Sequence, residues 1–328
     1  MLRLTLRNLI ELARHALIKR GYWNFLLFEK NASAVNTIGT LHVEEPHGCA
    51  MVIQGPLLLD DQFTLESLRL YRRFFPDAIL ILSTWEIPTH YKALLDKINV
   101  NYIENVKPNN PGISNINMQI QTTRSGFLLA KDLGAVFAVK TRTDQRIYNQ
   151  NLFSGLYAIL NVFPVSGPTT KSLHYRLIGC SMNTFKYRMY GLSDMFLFGH
   201  IDDVLLYWDI PFDFRVDSPE ERLNDGSTWR SFALWRVTET YLCTEFLKKI
   251  GYHPKFTLVD SFVTFSKFFI IVDHELLKIF WEKYTYNQDR YANFGIADPQ
   301  LRFTDWLQMY RNPTNISYDE TMMDRVNL

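Results

Sequence analysis

Between Gly134 and Gln145 the chain reads Ala135-Val-Phe-Ala-Val-Lys-Thr-Arg-Thr-Asp144. A short run that is apolar at every position, as from Ala135 to Val139, is typical of a strand buried on both faces of a sheet. Charged side chains follow at once. The stretch therefore predicts an interior strand whose carboxyl end presents polar groups.

Similar apolar runs flank this strand along the chain, and segments with helical periodicity separate them. Strands and helices that alternate in this way predict an α/β fold with a mostly parallel sheet covered by helices on both faces. The other predicted strands are 50–53, 78–82, 101–103 and 195–198, and the predicted helices are 64–75 (with Thr64 as N-cap), 91–98, 114–133, 152–160, 201–208, 229–250 and 275–284.

Composition excludes several classes of protein. The 328 residues carry 35 Lys and Arg against 34 Asp and Glu, so bulk charge does not indicate a nucleic-acid partner. Three cysteines without a CxxC pair indicate neither a disulfide framework nor a zinc site. No apolar run is long enough to span a bilayer, and no signal-peptide pattern is found. The sequence predicts a cytoplasmic protein.

The N-terminal segment has a different character. Apolar and basic residues alternate with helical spacing from Leu2 to Arg20, which predicts a basic amphipathic helix. It would either contact anionic lipid at the inner membrane or dock on the protein. We expect this helix and a connector over residues 1–47, the main α/β domain over 48–272, and a C-terminal helical extension over 273–328.

In a parallel sheet, ligands bind at the carboxyl ends of the strands. The sequence there is polar, but neither GxGxxG nor GxxxxGK[ST] occurs, so dinucleotide-binding and P-loop enzymes are disfavoured. The polar segments are Gln54-Gly55-Pro56, Ser83-Thr84-Trp85 and Lys140 to Arg146.

Asp144 is the carboxylate at the end of the strand quoted first. It could hold Mg²⁺ or Mn²⁺ bridging the phosphates of a nucleotide diphosphate, while Arg142 forks onto phosphate oxygens. The alternative is that Asp144 simply pairs with Arg142 or Arg146.

The order of these motifs resembles the WavE lipopolysaccharide-synthesis family, a group of bacterial glycosyltransferases. The resemblance covers roughly residues 48–275. It is carried by Val52-Ile-Gln-Gly-Pro56, by the segment from Leu65 to Ala78 leading into Ile81-Leu-Ser-Thr-Trp85, by Val139-Lys-Thr-Arg-Thr-Asp-Gln-Arg146, and by Ser193-Asp-Met-Phe-Leu-Phe-Gly199.

The resemblance implies that the main domain has a GT-A-like fold, which is Rossmann-like, and uses a nucleotide-sugar donor. Thr141 to Asp144 would stand in the place of the DxD motif, with Asp144 on the metal or on the ribose and phosphate. Only one acid is present where DxD has two, so Arg142 or Lys140 could neutralise the diphosphate instead. Gln54, Gly55 and Pro56 would line the nucleotide, and Ser83 and Trp85 would meet its base or ribose.

Three further residues are candidates for the site. Arg124 lies on a polar edge of the helix after residue 114, which faces either the donor diphosphate or solvent. By resemblance, Asp194 would touch the donor or acceptor sugar, and its alternative is a turn cap. Glu239, from a late helix, is the first candidate for the general base and Asp194 the second; otherwise Glu239 pairs with Arg236. His200, His253 and His274 are structural or complete a metal site.

We therefore expect an enzyme that transfers a sugar from a nucleotide-diphosphate donor to a growing surface glycan or glycolipid, with Mn²⁺ or Mg²⁺ as its cofactor. One alternative is a non-catalytic carbohydrate-binding or assembly scaffold whose acidic motif has degenerated. The other is a sugar nucleotidyltransferase, although that class needs a Gly- and Arg-rich loop after the first strand, and Gln54-Gly-Pro-Leu-Leu-Leu59 does not supply one.

Overall fold

A computed structural model describes residues 46–59, 62–165, 173–215, 228–282 and 299–324. Contacts between Cα atoms divide the chain into residues 1–44 and 45–328, and every described residue belongs to the second unit. The basic N-terminal helix lies outside the described residues, as does nearly all of the predicted connector. The expected domain boundaries stay predictions.

A seven-stranded sheet forms the centre of the described chain. Its strands are β1 (Cys49–Gln54), β2 (Ile79–Thr84), β3 (Asn101–Glu104), β4 (Phe137–Arg142), β6 (Leu177–Cys180), β7 (Leu197–His200) and β8 (Phe269–Val272). Their order across the sheet is β3-β2-β1-β4-β7-β6-β8. All six residues of β1 are buried, and successive side chains of a strand point to opposite faces, so both faces of the sheet are covered there.

The direction of each strand decides which residues lie at the carboxyl edge of the sheet. β3, β2, β1 and β4 run parallel, β6 and β8 run parallel to each other, and β7 runs antiparallel to both β4 and β6. The predicted α/β class and mostly parallel sheet are confirmed. Because β7 is reversed, the residues before it, rather than those after it, lie at the carboxyl edge of the neighbouring β4.

A second, two-stranded sheet pairs β5 (Gln145–Ile147) with β9 (Ile279–Trp281) in antiparallel register. β5 begins three residues after β4 ends at Arg142, so this sheet extends the carboxyl edge. The helix predicted over residues 275–284 is wrong. A four-residue helix ends at Leu277, and Ile279 to Trp281 instead complete the ladder opened by β5.

Helices cover the sheet and pack on one another. Their bounds are α1 (Phe63–Phe74), α2 (Thr89–Lys97), α3 (Ile116–Asp132), α4 (Leu152–Val162), α5 (Ile201–Trp208), α6 (Trp229–Trp235), α7 (Thr238–Lys249), α8 (Leu258–Phe268), α9 (His274–Leu277) and α10 (Phe303–Arg311). Among them, α3 lies on β1 and β2, and α10 lies on α8 and β8.

Two predicted helices are broken in the structure. The segment 114–133 begins as a short 3₁₀ turn, with Ser114 and Asn115 in the left-handed region at φ 52° and 64°, before α3 starts. The segment 229–250 is divided into α6 and α7 by Arg236 at φ 57°. Non-glycine residues rarely adopt such angles, so nothing in the sequence indicates them at these positions. The hydrophobic periodicity continues through both breaks and therefore does not show them.

The predicted cap of α1 is also different. The N-cap position is Gln62, and the Thr64 hydroxyl instead accepts the Leu58 N–H at 3.0 Å and donates to the Thr143 carbonyl at 3.2 Å. Thr64 thus ties the loop after β1 to the turn after β4.

The three cysteines all lie in described ranges, are buried and form no disulfide. Among the described residues, no helix is both long and apolar enough to cross a membrane.

Candidate functional site

The carboxyl edge of the sheet holds a cleft of about 630 Å³, here called the larger cleft. It lies where β1, β2 and β4 end, as expected for a parallel sheet. The N-terminal end of α3 borders it as well. Its lining includes Gln54, Gly55, Pro56, Leu58, Trp85, Ser114, Asn115, Met118, Gln119, Arg142, Thr143, Asp144 and Glu282.

The turn after β1 approaches the turn after β4 very closely. Gly55 has φ 122°, and a Cβ at this position would lie 2.8 Å from the Thr143 hydroxyl oxygen. That hydroxyl donates to the Pro56 carbonyl at 2.6 Å, and the Thr143 N–H donates to the Gln54 carbonyl at 3.0 Å. Glycine is therefore strongly favoured at position 55. The two turns are hydrogen-bonded to each other and together border the larger cleft.

Asp144 is held by a bidentate pair with Arg142. Nε and Nη2 of the guanidinium donate to the two carboxylate oxygens at 2.8 and 2.9 Å, and the Trp281 indole donates to the same carboxylate at 3.0 Å. Burial alone would raise the pKa of Asp144, but the hydrogen bonds from Arg142 outweigh it, so the pKa lies below its ordinary value. Asp144 is therefore an anion whose orientation is fixed.

A second cleft of about 340 Å³, here called the smaller cleft, adjoins the first. The two clefts share Ser114, Gln119 and Arg142 in their linings. The smaller cleft is bordered by charged, polar and aromatic side chains from the segment between β6 and β7, from α6, from the start of α7 and from β9. These include Asn183, Arg188, Asp194, Phe232, Thr238, Glu239 and Trp281.

Glu239 stands in the first turn of α7. Its Oε1 accepts from Asn183 Nδ2 at 2.8 Å and lies 3.2 Å from Nη1 of Arg188. Burial raises the pKa of Glu239, the Arg188 charge acts against it, and the nearby Asp194 carboxylate raises it further. The alternative partner named from the sequence, Arg236, pairs with Glu245 instead.

Asp194 borders the smaller cleft together with Glu239 and is 8% exposed. Its main-chain carbonyl accepts a hydrogen bond from the Lys140 ammonium. Within the described ranges, no residue donates a hydrogen bond to its carboxylate, so it does not act as a turn cap. The charge of the Asp194 carboxylate acts on Glu239, where it helps to raise the pKa.

Three residues expected at the nucleotide do not line either cleft. Lys140 is fully buried, over the Trp208 ring at 5.0 Å, and burial lowers its pKa to about 8. It cannot touch a diphosphate directly. Ser83 is fully buried and donates to the Thr122 carbonyl at 2.6 Å. Arg124 points toward Asp209, at 3.7 Å, since α3 presents that face to the end of α5.

The structure brings the remaining predicted residues together. The larger cleft gathers Gln54, Gly55, Pro56, Trp85, Arg142 and Asp144, and the smaller cleft gathers Asp194 and Glu239 with Arg142 again. What these residues bind stays a prediction.

Sequence reasoning misses several polar residues of the larger cleft's lining, among them Ser114, Asn115, Gln119 and Glu282. The left-handed turn before α3 places the first two, and no local pattern predicts it. Glu282 follows β9, a strand that the sequence predicts as helix, and its N–H donates to the Asp144 carbonyl at 3.0 Å. It brings a second carboxylate to the cleft whose acidic motif has only one acid.

One group of three potential metal ligands is found in the described part of the chain, and it lies at the opposite edge of the sheet. It consists of His174, His200 and Asp202, whose ligand atoms are within 4.8 Å of one another. The Lys131 ammonium is 2.7 Å from Asp202, and burial together with the neighbouring imidazole lowers the pKa of His200. Of the three histidines considered from the sequence, His200 belongs to this group.

The fold and the paired clefts define an α/β protein with its candidate binding site at the carboxyl edge of a mixed sheet. A comparison with protein families matches residues 49–323 to the family described as WavE lipopolysaccharide synthesis. The chain belongs to this family, and the resemblance found in the sequence is confirmed.

No curated protein matches the chain. Among solved structures, it is similar to a mannose-1-phosphate geranyltransferase from Thermus thermophilus, with 12% sequence identity and a TM-score of 0.24. The similarity covers 40% of this chain and 40% of that one.

Proposed function

We propose that this protein transfers a sugar from a nucleotide-diphosphate donor to a hydroxyl group of a glycan or glycolipid in lipopolysaccharide synthesis. The observation that carries the proposal is the meeting of two clefts at Arg142 and Gln119. One cleft has groups suited to an anion, and the other has paired carboxylates. Sugar transfer needs a site for the diphosphate and, next to it, a carboxylate that accepts the proton of the acceptor hydroxyl.

The larger cleft suits the nucleotide diphosphate. Arg142 borders it, and the N-terminal end of α3 carries the partial positive charge of a 17-residue helix without a side-chain cap. Trp85, Met118 and Leu58 give the cleft an aromatic and apolar wall on which a base can lie. Lys140 contributes only from within the core, as a buried charge.

The charges of the larger cleft favour a divalent cation with the donor. Its described lining brings two carboxylates, those of Asp144 and Glu282, beside the guanidinium of Arg142. Carboxylate oxygens are the ligands that Mg²⁺ and Mn²⁺ prefer, and Asp144 and Glu282 would hold the ion. The ion would neutralise the departing diphosphate.

The smaller cleft suits the acceptor. As the acceptor hydroxyl oxygen forms its bond to the anomeric carbon, the bond from that carbon to the diphosphate oxygen breaks, and the hydroxyl proton passes to a carboxylate. Glu239 is the first candidate for this base because its raised pKa gives it proton affinity. Asp194 is the second candidate. This assignment holds for an inverting reaction.

Titration calorimetry tests the proposal. Wild-type protein is titrated with UDP, GDP, CDP and CMP, with Mn²⁺ and with EDTA. We expect one diphosphate to bind in the presence of Mn²⁺, and Asp144→Ala to weaken that binding by roughly tenfold or more. Asp77→Asn, which alters an exposed acid at the opposite edge, serves as the matched control.

The alternatives give other outcomes. If wild-type protein binds glycans but no nucleotide, with Mn²⁺ or with EDTA, the chain is a scaffold. The bidentate Arg142–Asp144 pair favours this function, because each side chain already has a partner in the protein. If it binds a nucleoside triphosphate and a sugar phosphate, it is a nucleotidyltransferase. Contact of the N-terminal helix with the inner membrane, a cytoplasmic location and the absence of a nucleic-acid partner stay predictions.

A further inference from the structure

Gln119 lies in the first turn of α3, at the junction of the two clefts, and it borders both of them. One side of this junction holds the Arg142–Asp144 pair. The other holds Glu239 and Asp194. A group that moves from a donor in the larger cleft to an acceptor in the smaller one crosses the junction that Gln119 shares with Ser114 and Arg142.

The side-chain carbonyl oxygen of Gln119 is buried, and no described residue donates a hydrogen bond to it. Buried polar atoms in native proteins almost always have partners, and an unpaired one at a cleft indicates a ligand atom that completes it. Because this atom is an acceptor, the partner that it lacks is a hydrogen-bond donor. If the side-chain amide is rotated by 180°, its nitrogen takes this place and lacks an acceptor. A hydroxyl group can both donate and accept, so it can pair with either atom.

Asn105 and Gln145 each have a buried amide atom without a partner among the described residues, but neither residue borders either of the two clefts. Three other amide side chains near the clefts do have partners. Asn117 donates to the Asp213 carbonyl and accepts the Asp213 N–H, both at 2.7 Å. Gln121 donates to the Ser125 hydroxyl at 3.4 Å, and Gln54 accepts from the Thr122 hydroxyl at 2.9 Å. These three amides therefore have structural partners, whereas Gln119 borders both clefts and its buried oxygen has no partner among the described residues.

We propose that Gln119 binds a hydroxyl group of the transferred sugar and thereby selects the donor sugar. This inference rests on the proposed function, because that function places the sugar between the diphosphate and the acceptor. A buried amide that binds a sugar hydroxyl discriminates strongly against an analogue that lacks it, because the amide is then left unpaired.

The test compares nucleotide sugars with free nucleotides. Wild-type protein, Gln119→Leu and Gln119→Glu are titrated with UDP, GDP, UDP-glucose, UDP-galactose and GDP-mannose in the presence of Mn²⁺. We expect Gln119→Leu to weaken binding of the preferred nucleotide sugar by roughly 10- to 100-fold. Its binding of the free diphosphate should stay unchanged, since Gln119 contacts the sugar and not the nucleotide.

Two variants control for general damage to the site. Gln119→Glu keeps an acceptor oxygen, so the ratio of its nucleotide-sugar affinity to its diphosphate affinity should stay near the wild-type ratio, even where its charge weakens both. Gln121→Leu removes an amide from the same helix that borders neither cleft, and it should leave both affinities as they are.

Equal losses of nucleotide sugar and free diphosphate in Gln119→Leu, or no loss of either, would overturn the inference while the proposed function stands. Binding of no nucleotide by the wild-type protein would overturn the proposed function itself, and this inference with it. The two failures are thus distinguishable in one series of titrations.

Discussion

Glu239 shows how surroundings prepare a side chain for chemistry. Its side chain is 12% exposed at the edge of the smaller cleft, which Asp194 also borders, and burial raises its pKa. If Glu239 is the general base, as proposed, it has to be ionised to accept a proton. Activity should therefore rise with pH through a pKa above the ordinary 4.5 of glutamate.

We expect Glu239→Gln to lower kcat by about 10²- to 10⁴-fold, because positioned general bases contribute that much, and to abolish this acid limb. Steady-state kinetics over a pH series measures both effects. Glu245→Gln is the matched control, since Glu245 is also in α7 but pairs with Arg236 and Lys248 away from the clefts. A wild-type kcat in Glu239→Gln would move the base to Asp194.

At position 55, in the turn beside the larger cleft, any side chain would destabilise the protein. We expect Gly55→Ala to lower the free energy of unfolding by about 1–3 kcal/mol, because its φ is positive and its Cβ would clash with Thr143. Urea denaturation measures the change.

The control for this substitution is Gly155→Ala in α4. A Cβ there meets nothing within 4 Å, so alanine should raise the free energy of unfolding by roughly 0.5–1 kcal/mol. An unchanged or raised free energy of unfolding in Gly55→Ala would show that the turn after β1 tolerates a side chain.

Among the elements, local sequence patterns identify some strands and helices and miss others. β1, β2, β4 and the helices beside them have strong patterns, and the sequence predicts them within a few residues. It does not predict β6, α8 or β8. β6 and β8 have only four residues each, too few for periodicity to separate a strand from other short apolar segments.

The candidate site divides in the same way. Residues directly after predicted strands, such as Gln54 and Asp144, can be found from the sequence because topology alone brings strand ends to one edge. Gln119 and Glu282 cannot, since each depends on how a distant element docks. Arg124 faces away from the clefts because packing against α5 sets the rotation of α3 about its axis, which the sequence does not show.

The docking of α10 gives a prediction at the scale of elements. Trp306 is fully buried, and its indole N–H is shared by the Phe265 and Phe269 carbonyls, at 3.1 and 2.8 Å. We expect Trp306→Ala to cost about 3–5 kcal/mol in the free energy of unfolding, measured in urea, because it leaves a large cavity and two carbonyls without this donor. Leu128→Ala, at a residue 49% exposed, should change stability by less than about 0.5 kcal/mol.

A Trp306→Ala variant as stable as Leu128→Ala would mean that α10 does not stabilise α8 and β8. Unfolding of the whole chain at a lower urea concentration would instead show that the C-terminal segment belongs to the same cooperative unit.

At the scale of the whole molecule, stability should depend on pH through Asp203. Its carboxyl group accepts the N–H groups of His174 and Tyr175, at 3.0 and 2.9 Å, and so joins α5 to the segment before β6. Burial nevertheless raises the pKa of Asp203 from 3.8 to about 6. Between these two values, the folded state therefore retains a proton that the unfolded state releases.

It follows that the free energy of unfolding falls as pH rises from near 4 to near 6, by on the order of 2–3 kcal/mol from this residue. Well above its folded pKa the contribution of Asp203 no longer changes. Urea denaturation at a series of pH values measures the slope, and Asp203→Asn should flatten it. A slope that is identical in the variant would assign the pH dependence to other groups.

The reversal of β7 and the late position of β9 have a consequence for synthesis of the protein. The clefts combine residues from Gln54 to Glu282, and the smaller one needs the turn before β7 together with the first turn of α7. A nascent chain on the ribosome can pair β1, β2 and β4 early. It cannot complete both clefts until β9 and Glu282 have left the exit tunnel, so no binding that needs both clefts can begin before that point.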